Sequence, residues 1–105
     1  MELRIPTLEE LREIYDKDMK EAFPPSELKP LREIEWMWET GWYKPYCLYD
    51  DDGMGPIGTA FLWMGHPGWA ILDYLCVNAG WRNDGFGTEI LRLIREMEPE
   101  TVIFG

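Results

Sequence analysis

Apolar residues fall at helical spacing in three stretches of the chain and at strand spacing in five. Residues 2 to 5 read as a short edge strand ended by Pro6, and Thr7 with Glu10 has the spacing of a capping box that opens a helix. Leu8, Leu11, Ile14, Tyr15, Met19 and Phe23 form that helix's apolar stripe to about residue 22, where Pro24-Pro25 stops it. A second helix carries Pro30 in its first turn, apolar contacts from Leu31, Ile34 and Trp38, and Gly41 as its stop. From Trp42 the period changes. Strands are expected at 43 to 49, 57 to 64 and 69 to 77, joined by turns at Asp50 to Gly55 and at His66-Pro67-Gly68, as an antiparallel meander. An amphipathic helix at about 86 to 97 and a strand at 101 to 104 follow, giving the order β-α-α-β-β-β-α-β.

The most informative segment for chemistry is the junction of the third meander strand with the last helix. Ile71 to Val77 is an apolar run; Asn78 to Gly85 is a glycine-punctuated turn; Phe86, Ile90, Leu91, Leu93, Ile94 and Met97 make a 3.6-residue stripe. A turn entering a helix leaves the first backbone N–H groups without intrahelical acceptors and adds the positive end of the helix dipole. Such an end is an anion site, and Gly85 and Gly87 lack the Cβ atoms that would hold a phosphate away. The expected ligand is a phosphate or pyrophosphate.

At these residues the sequence resembles the GNAT N-acetyltransferase superfamily, whose signature is a strand ending in Leu-x-Val, a bulge, and Arg/Gln-x-x-Gly-x-Gly/Ala opening a helix. Leu75, Val77, Arg82, Gly85 and Gly87 match it. The resemblance implies an α/β (α+β) fold with a mixed, mostly antiparallel sheet flanked by helices, and an acetyl-CoA (CoA) site. Leu75, Cys76 and Val77 would pair with the pantetheine arm, and Arg82, Asn83, Asp84, Gly85, Phe86, Gly87 and Thr88 would hold the pyrophosphate, chiefly through backbone. Three positions depart from the family's habit: Ala79 stands where it often has Pro, Asn83 where it often has Gly, and Asp84 where a basic or neutral polar residue is usual. Asp84 puts a negative charge near a polyanionic ligand. The elements cover the first two thirds of the family's domain, which continues with a helix and two strands, so residues 1–105 are expected to form a single, C-terminally incomplete GNAT-like domain.

Composition bounds the partners. Twenty acidic against ten basic residues give a formal charge of −10, which argues against nucleic acid and anionic membranes and suits a cationic amine. Cys47 and Cys76 are too few for a disulfide scaffold and sit in apolar runs, so a cytoplasmic protein is expected, with no signal peptide and no run long enough to span a membrane. His66 is the single His and no Cys cluster accompanies it, so no metal site is expected.

For catalysis, acyl transfer to an amine needs a base, and Asp73 is the candidate. It stands two residues before Leu75, on the same face of a regular strand, inside an apolar run where a carboxylate would have a raised pKa. The bland alternative is a structural hydrogen-bond acceptor. Tyr74 would point to the opposite face and pack. Six Trp are a heavy load for a small sheet. The resemblance makes Trp36 and Trp38, on the second helix, the candidate wall of an acceptor pocket, because in the family this region borders it, and a cationic amine could sit there on an aromatic face; core packing or a protein interface is the alternative, and exposed aromatics also predict a homodimer. The leading expectation is therefore an acetyl-CoA-dependent N-acyltransferase acting on an amine of a small molecule or protein. The rival is a non-catalytic module of the same fold that binds CoA or a protein partner.

Overall fold

The computed structural model describes residues 1–52 and 55–105. Five strands, β1 (Glu2–Arg4), β2 (Tyr43–Tyr49), β3 (Pro56–His66), β4 (Trp69–Val77) and β5 (Val102–Phe104), form one sheet in the order β1-β2-β3-β4-β5. Every neighbouring pair is antiparallel except β4 and β5, which the helix α4 (Phe86–Met97) connects as a parallel crossover. This is the mixed, mostly antiparallel sheet expected from the sequence. Of the expected turn at 50 to 55, positions 53 and 54 lie outside the described residues.

The first helix starts as α1 (Leu8–Glu13), with the Thr7 side chain accepting from the Glu10 N–H at 3.2 Å and the Glu10 carboxylate accepting from the Thr7 N–H at 2.9 Å. It then widens into a π-helical segment, Ile14–Met19, and closes with α2 (Lys20–Ala22). The wider turn lets the consecutive Ile14 and Tyr15 both point inward with Met19, while Leu8 is left exposed, contrary to the expected stripe. Helix α3 (Leu31–Glu39) starts one residue later than expected, because Pro30 is its N-cap. It ends in a Schellman turn: Gly41, at φ 83°, donates to the Trp38 carbonyl at 3.1 Å, and Trp42 donates to that of Met37 at 2.7 Å.

The two faces of the sheet carry separate apolar clusters. On one, Leu11, Ile14, Met19 and Ile34 pack against Tyr43, Cys47, Phe61 and Tyr74. On the other, Ile90 and Ile94 of α4 pack against Leu3, Leu48, Ile57, Ala60 and Leu62. The sheet is thus covered on both sides, which explains why β2 and β3 read as continuous apolar runs rather than alternating ones.

Candidate functional site

Strand β4 is irregular at one residue. Phe61 stands opposite Tyr74 and Leu62 opposite Leu72, so Asp73 is the extra residue of a β-bulge. The bulge changes which backbone groups meet which neighbour. Before it, Val102 donates to the Gly68 carbonyl at 2.9 Å, so the even-numbered groups face β5. After it, Asn78 donates to the Ile57 carbonyl at 2.8 Å, so the even-numbered groups face β3 and those of Leu75 and Val77 point the other way. Strand β5 pairs only with Trp69 to Ile71, so among the described residues no strand covers the edge at 72 to 77. Leu75 therefore turns its N–H and C=O, and Val77 its N–H, toward the uncovered edge beyond β5.

This edge leads to the turn that enters α4. A 3-10 turn at Ala79–Trp81 follows the strand, and Asn83 and Gly85 both take the left-handed conformation, at φ 71° and 81°. Asn tolerates this region better than other side chains, which accounts for its standing where glycine is the habit. Gly85 is the N-cap of α4 and supplies no side-chain cap, and the first helical bond runs from the Glu89 N–H to the Gly85 carbonyl at 3.1 Å. Among the described residues, no protein group accepts from the N–H groups of Phe86, Gly87 and Thr88. The rings of Trp81 and Phe86 meet edge to face at 5.5 Å and pin the two ends of the turn together. Three oriented donors thus stand at the positive end of a twelve-residue helix, held in place before any ligand arrives.

The side chains of the turn have other employment. Arg82 donates through Nε to the Val77 carbonyl at 2.8 Å, and its two terminal nitrogens reach the Glu21 carboxylate at 3.1 and 2.5 Å. Its hydrogen bond to Glu21 raises the guanidinium further and pulls Glu21 below the usual carboxylate range. Arg82 thereby ties the turn to α2 and caps the Val77 carbonyl, which would otherwise repel an anion. Asp84 is exposed. A Cβ built on Gly87 would meet Leu75 and Val77 side chains at 3.8 Å, so it would point at β4 rather than at the space in front of the helix. Gly87 therefore does not clear that space, and the expectation that it keeps a Cβ from a phosphate is corrected. Cys76 contributes neither edge groups nor an accessible thiol. Its backbone faces β3, its side chain is buried on the far face, and burial pushes the thiol up.

Asp73 is not enclosed by apolar side chains. Its carboxylate accepts from Lys29 Nζ at 2.7 Å and is partly exposed. Because of the bulge, Asp73 and Tyr74 turn to the same face, that of α1 and α3, whereas Leu75 packs on the α4 face; both facing expectations are corrected for this reason. Tyr74 is buried, as expected, and works structurally: its hydroxyl accepts from the Lys29 N–H and donates to the Glu27 carbonyl, each at 2.9 Å. Trp36 and Trp38 do not form a wall. Residues two apart on a helix face different ways, and Trp38 packs on the core while Trp36 is 58% exposed. Lys29, Tyr43 and Glu21 were not legible as site residues, since their partners are 40 or more positions distant or on another element and no local spacing marks them.

Two cavities open on the α1 face. One of about 500 Å³ lies between Glu13, Lys17 and Asp18 of the first helix, Tyr49 and Pro56 of the sheet, and Asn78 just after β4. The other, about 310 Å³ and mainly apolar, is lined by Tyr15, Phe23, Leu28 and Pro30 among others. Among the described residues no cluster of His, Cys, Asp or Glu is arranged to hold a metal, and no helix is long and apolar enough to cross a membrane.

Solved structures share this architecture. A GNAT-family protein from Bacteroides thetaiotaomicron superposes with a TM-score of 0.74 at 23% identity, over 92% of this chain and 55% of its own. The GNAT family N-acetyltransferase YhbS from Escherichia coli, solved in complex with CoA, gives 0.74 at 17% identity, over 99% of this chain and 62% of its own. AAC(6')-Iy, solved in complex with the bisubstrate analog CoA-S-monomethyl-acetylneamine, gives 0.69 at 15% identity, over 99% and 78%. The chain thus spans little more than half of the first two. No curated protein is significantly similar in sequence. The sequence also matches the model of the Acetyltransferase (GNAT) family over residues 8–100, which takes in both covering helices, the bulged strand and the whole of α4: the chain belongs to the GNAT acetyltransferase family.

Proposed function

We propose that the chain is an acetyl-CoA-dependent N-acyltransferase domain, cytoplasmic, moving an acetyl group to an amine of a small molecule or protein. The observation that carries this reading is the continuity of unpaired backbone donors from the edge of β4 at Leu75 and Val77 to the uncapped N-terminus of α4. An elongated ligand with an amide-bearing arm at one end and a diphosphate at the other matches that row. The amides of Phe86, Gly87 and Thr88 hold the diphosphate, and the edge of β4 receives the arm. The fold supports this, since the family uses acetyl-CoA and a structure of the same fold was solved with CoA.

When bound, the coenzyme supplies an acetyl group activated as a thioester. The chain's part is to bind, orient and move a proton. Edge N–H groups of β4 are fixed donors for a carbonyl oxygen that gains charge during transfer. Asp73, thrown onto the bulge at the end of the open edge, takes the proton an ammonium must lose before its nitrogen attacks. The departing thiolate would need one proton, and the second proton shed by the attacking nitrogen would meet that need, so the chain has to accept only the first, at Asp73.

A second reading has its own support. Asp73 Oδ2 is already occupied by the ammonium of Lys29 at 2.7 Å, which favours a module that binds CoA or a protein without turnover. Two measurements separate the readings. CoA raises the melting temperature under both, by linkage to the native state. Release of free thiol from acetyl-CoA in the presence of primary amines, abolished in Asp73→Asn, supports the enzyme; thermal stabilisation without thiol release supports the binding module.

A further inference from the structure

Lys29 lies in the connector between the first helix and α3, and its backbone is clamped independently of its side chain. The Tyr74 hydroxyl accepts from its N–H at 2.9 Å, the Tyr15 hydroxyl donates to its carbonyl at 2.8 Å, and the following Pro30 restricts it to extended backbone. Both tyrosines are buried. The side chain then carries its ammonium to Asp73 Oδ2 at 2.7 Å, with the Tyr74 ring centroid at 5.2 Å and the Tyr43 centroid at 6.0 Å. A carboxylate flanked by two electron-rich ring faces is a seat for a primary ammonium. The seat is partly open to solvent: the Lys29 side chain is 35% exposed and that of Asp73 28%. Tyr43 also has a buried hydroxyl with no partner among the described residues.

From this geometry, we infer that Lys29 occupies the acceptor's seat as a displaceable internal amine, and that the acceptor is an unbranched primary alkylammonium, as in a lysyl side chain or a linear diamine. The inference rests on the acyltransferase reading for its meaning, though not for its test. Clamping the backbone of Lys29 separately from its ammonium means that the side chain can leave Asp73 without loosening the connector. The seat accommodates a compact NH3⁺ on a straight methylene stem, because that is what fills it; an N-trimethylated group has no N–H to give Asp73. A tethered ammonium competes at an effective concentration in the millimolar range, so the seat favours acceptors with further contacts and turns away small cations at low concentration. It also reconciles Asp73 as a base with its ion pair, since the arriving amine takes the place of Lys29 on the carboxylate.

The test needs no coenzyme. Calorimetric titration with 1,5-diaminopentane, and in a separate arm with Nα-acetyl-lysine amide, compares the wild type with Lys29→Met and with Lys29→Met/Asp73→Asn. Lys29→Met keeps the apolar stem and removes the competitor, so it should bind at least one of the two probes about ten-fold more tightly than the wild type. The double variant should lose that gain, and N-trimethylated probes should show none. Whichever probe gains more identifies a free amine or a peptidyl lysine as the source. Equal affinity of wild type and Lys29→Met for both probes, or a gain that survives Asp73→Asn, overturns the inference. If Lys29→Met fails to fold, NMR of the wild type decides: the probe should shift the Lys29 Cε and Asp73 Cγ resonances together, and an unmoved pair at saturation overturns it. CoA titration of the same samples reports separately on the coenzyme site, so amine binding without CoA binding would defeat the acyltransferase reading and leave the seat intact.

Discussion

Two glycines two positions apart, Gly85 in the candidate coenzyme turn and Gly87 in the first turn of α4, should respond in opposite directions to alanine. Gly85 has open space around a built Cβ, yet its φ is 81°, where an L-residue costs roughly 1–2 kcal/mol. Reduced freedom of the unfolded chain returns about 0.4–1 kcal/mol, leaving Gly85→Ala destabilised by about 1 kcal/mol. Gly87 stands in the first turn of α4 with no positive φ, and its Cβ would touch Leu75 and Val77 at 3.8 Å, ordinary contact distance. Glycine is about 0.8–1.0 kcal/mol worse than alanine in a helix interior and less so in a first turn, so Gly87→Ala should gain roughly 0.5 kcal/mol. At about 4–8 °C per kcal/mol for a domain near this size, thermal melting should place the two variants on opposite sides of the wild type, roughly 6–12 °C apart. CoA affinity should fall in Gly85→Ala, because strain reshapes the turn, and should hold within about two-fold in Gly87→Ala, because that methyl faces β4. Melting shifts of the same sign would refute the assigned backbone roles. Weaker CoA binding in a stabilised Gly87→Ala would refute the assigned direction of its Cβ.

Other consequences follow from the same geometry. Asp84→Lys replaces an exposed negative charge near a diphosphate; at roughly 8 Å in water each unit charge pair is worth about 0.5 kcal/mol before screening, so a change of two charges against two amounts to about 2 kcal/mol, and CoA should bind roughly ten- to thirty-fold more tightly at low ionic strength, a gain that should vanish in about 1 M salt. Thr7→Ala removes the capping-box acceptor on Glu10 N–H and should cost about 1 kcal/mol in urea unfolding, with no change in CoA affinity. Glu10, hydrogen-bonded by Arg4 and by the Thr7 N–H, is held down at about 2 from an ordinary 4.5. Its folded-state pKa is depressed, so its contribution is present above pH 4.5 and is lost as pH falls through about 2; the melting temperatures of wild type and Glu10→Gln should converge over that window. Cys47, fully buried with its thiol pushed up to about 12, should resist alkylation in the native state at pH 8 and react only on unfolding.

Local rules made much of the fold legible. The capping box at Thr7 and Glu10, the glycine stop at Gly41 and the stripe of α4 each depend on residues a few positions apart, and each stands where spacing alone put it. The succession of strand, turn and helix from β4 to α4 is legible for the same reason. What escaped was non-local or invisible to periodicity. The β4 bulge inserts one residue into a run that is apolar on both faces, so no break in alternation marks it, yet it decides where Asp73 and Tyr74 point. The Lys29–Asp73 pair joins residues 44 positions apart. Trp36 and Trp38 share the helix that the resemblance places beside the acceptor pocket, and helical geometry turns them apart. Gly87 was read as making room for a ligand, and only three dimensions show its missing Cβ facing Leu75 and Val77.

In the proposed complex, free amides at the start of α4 and along the open edge of β4 grip a coenzyme diphosphate and its arm. Amide-resolved NMR titration with CoA measures it most directly. The account predicts that the N–H resonances of Phe86, Gly87, Thr88, Leu75 and Val77 shift together along one saturating isotherm, while those of Cys76 and β2 stay nearly still. Saturable CoA binding that leaves the amides of Phe86, Gly87 and Thr88 unmoved would contradict it.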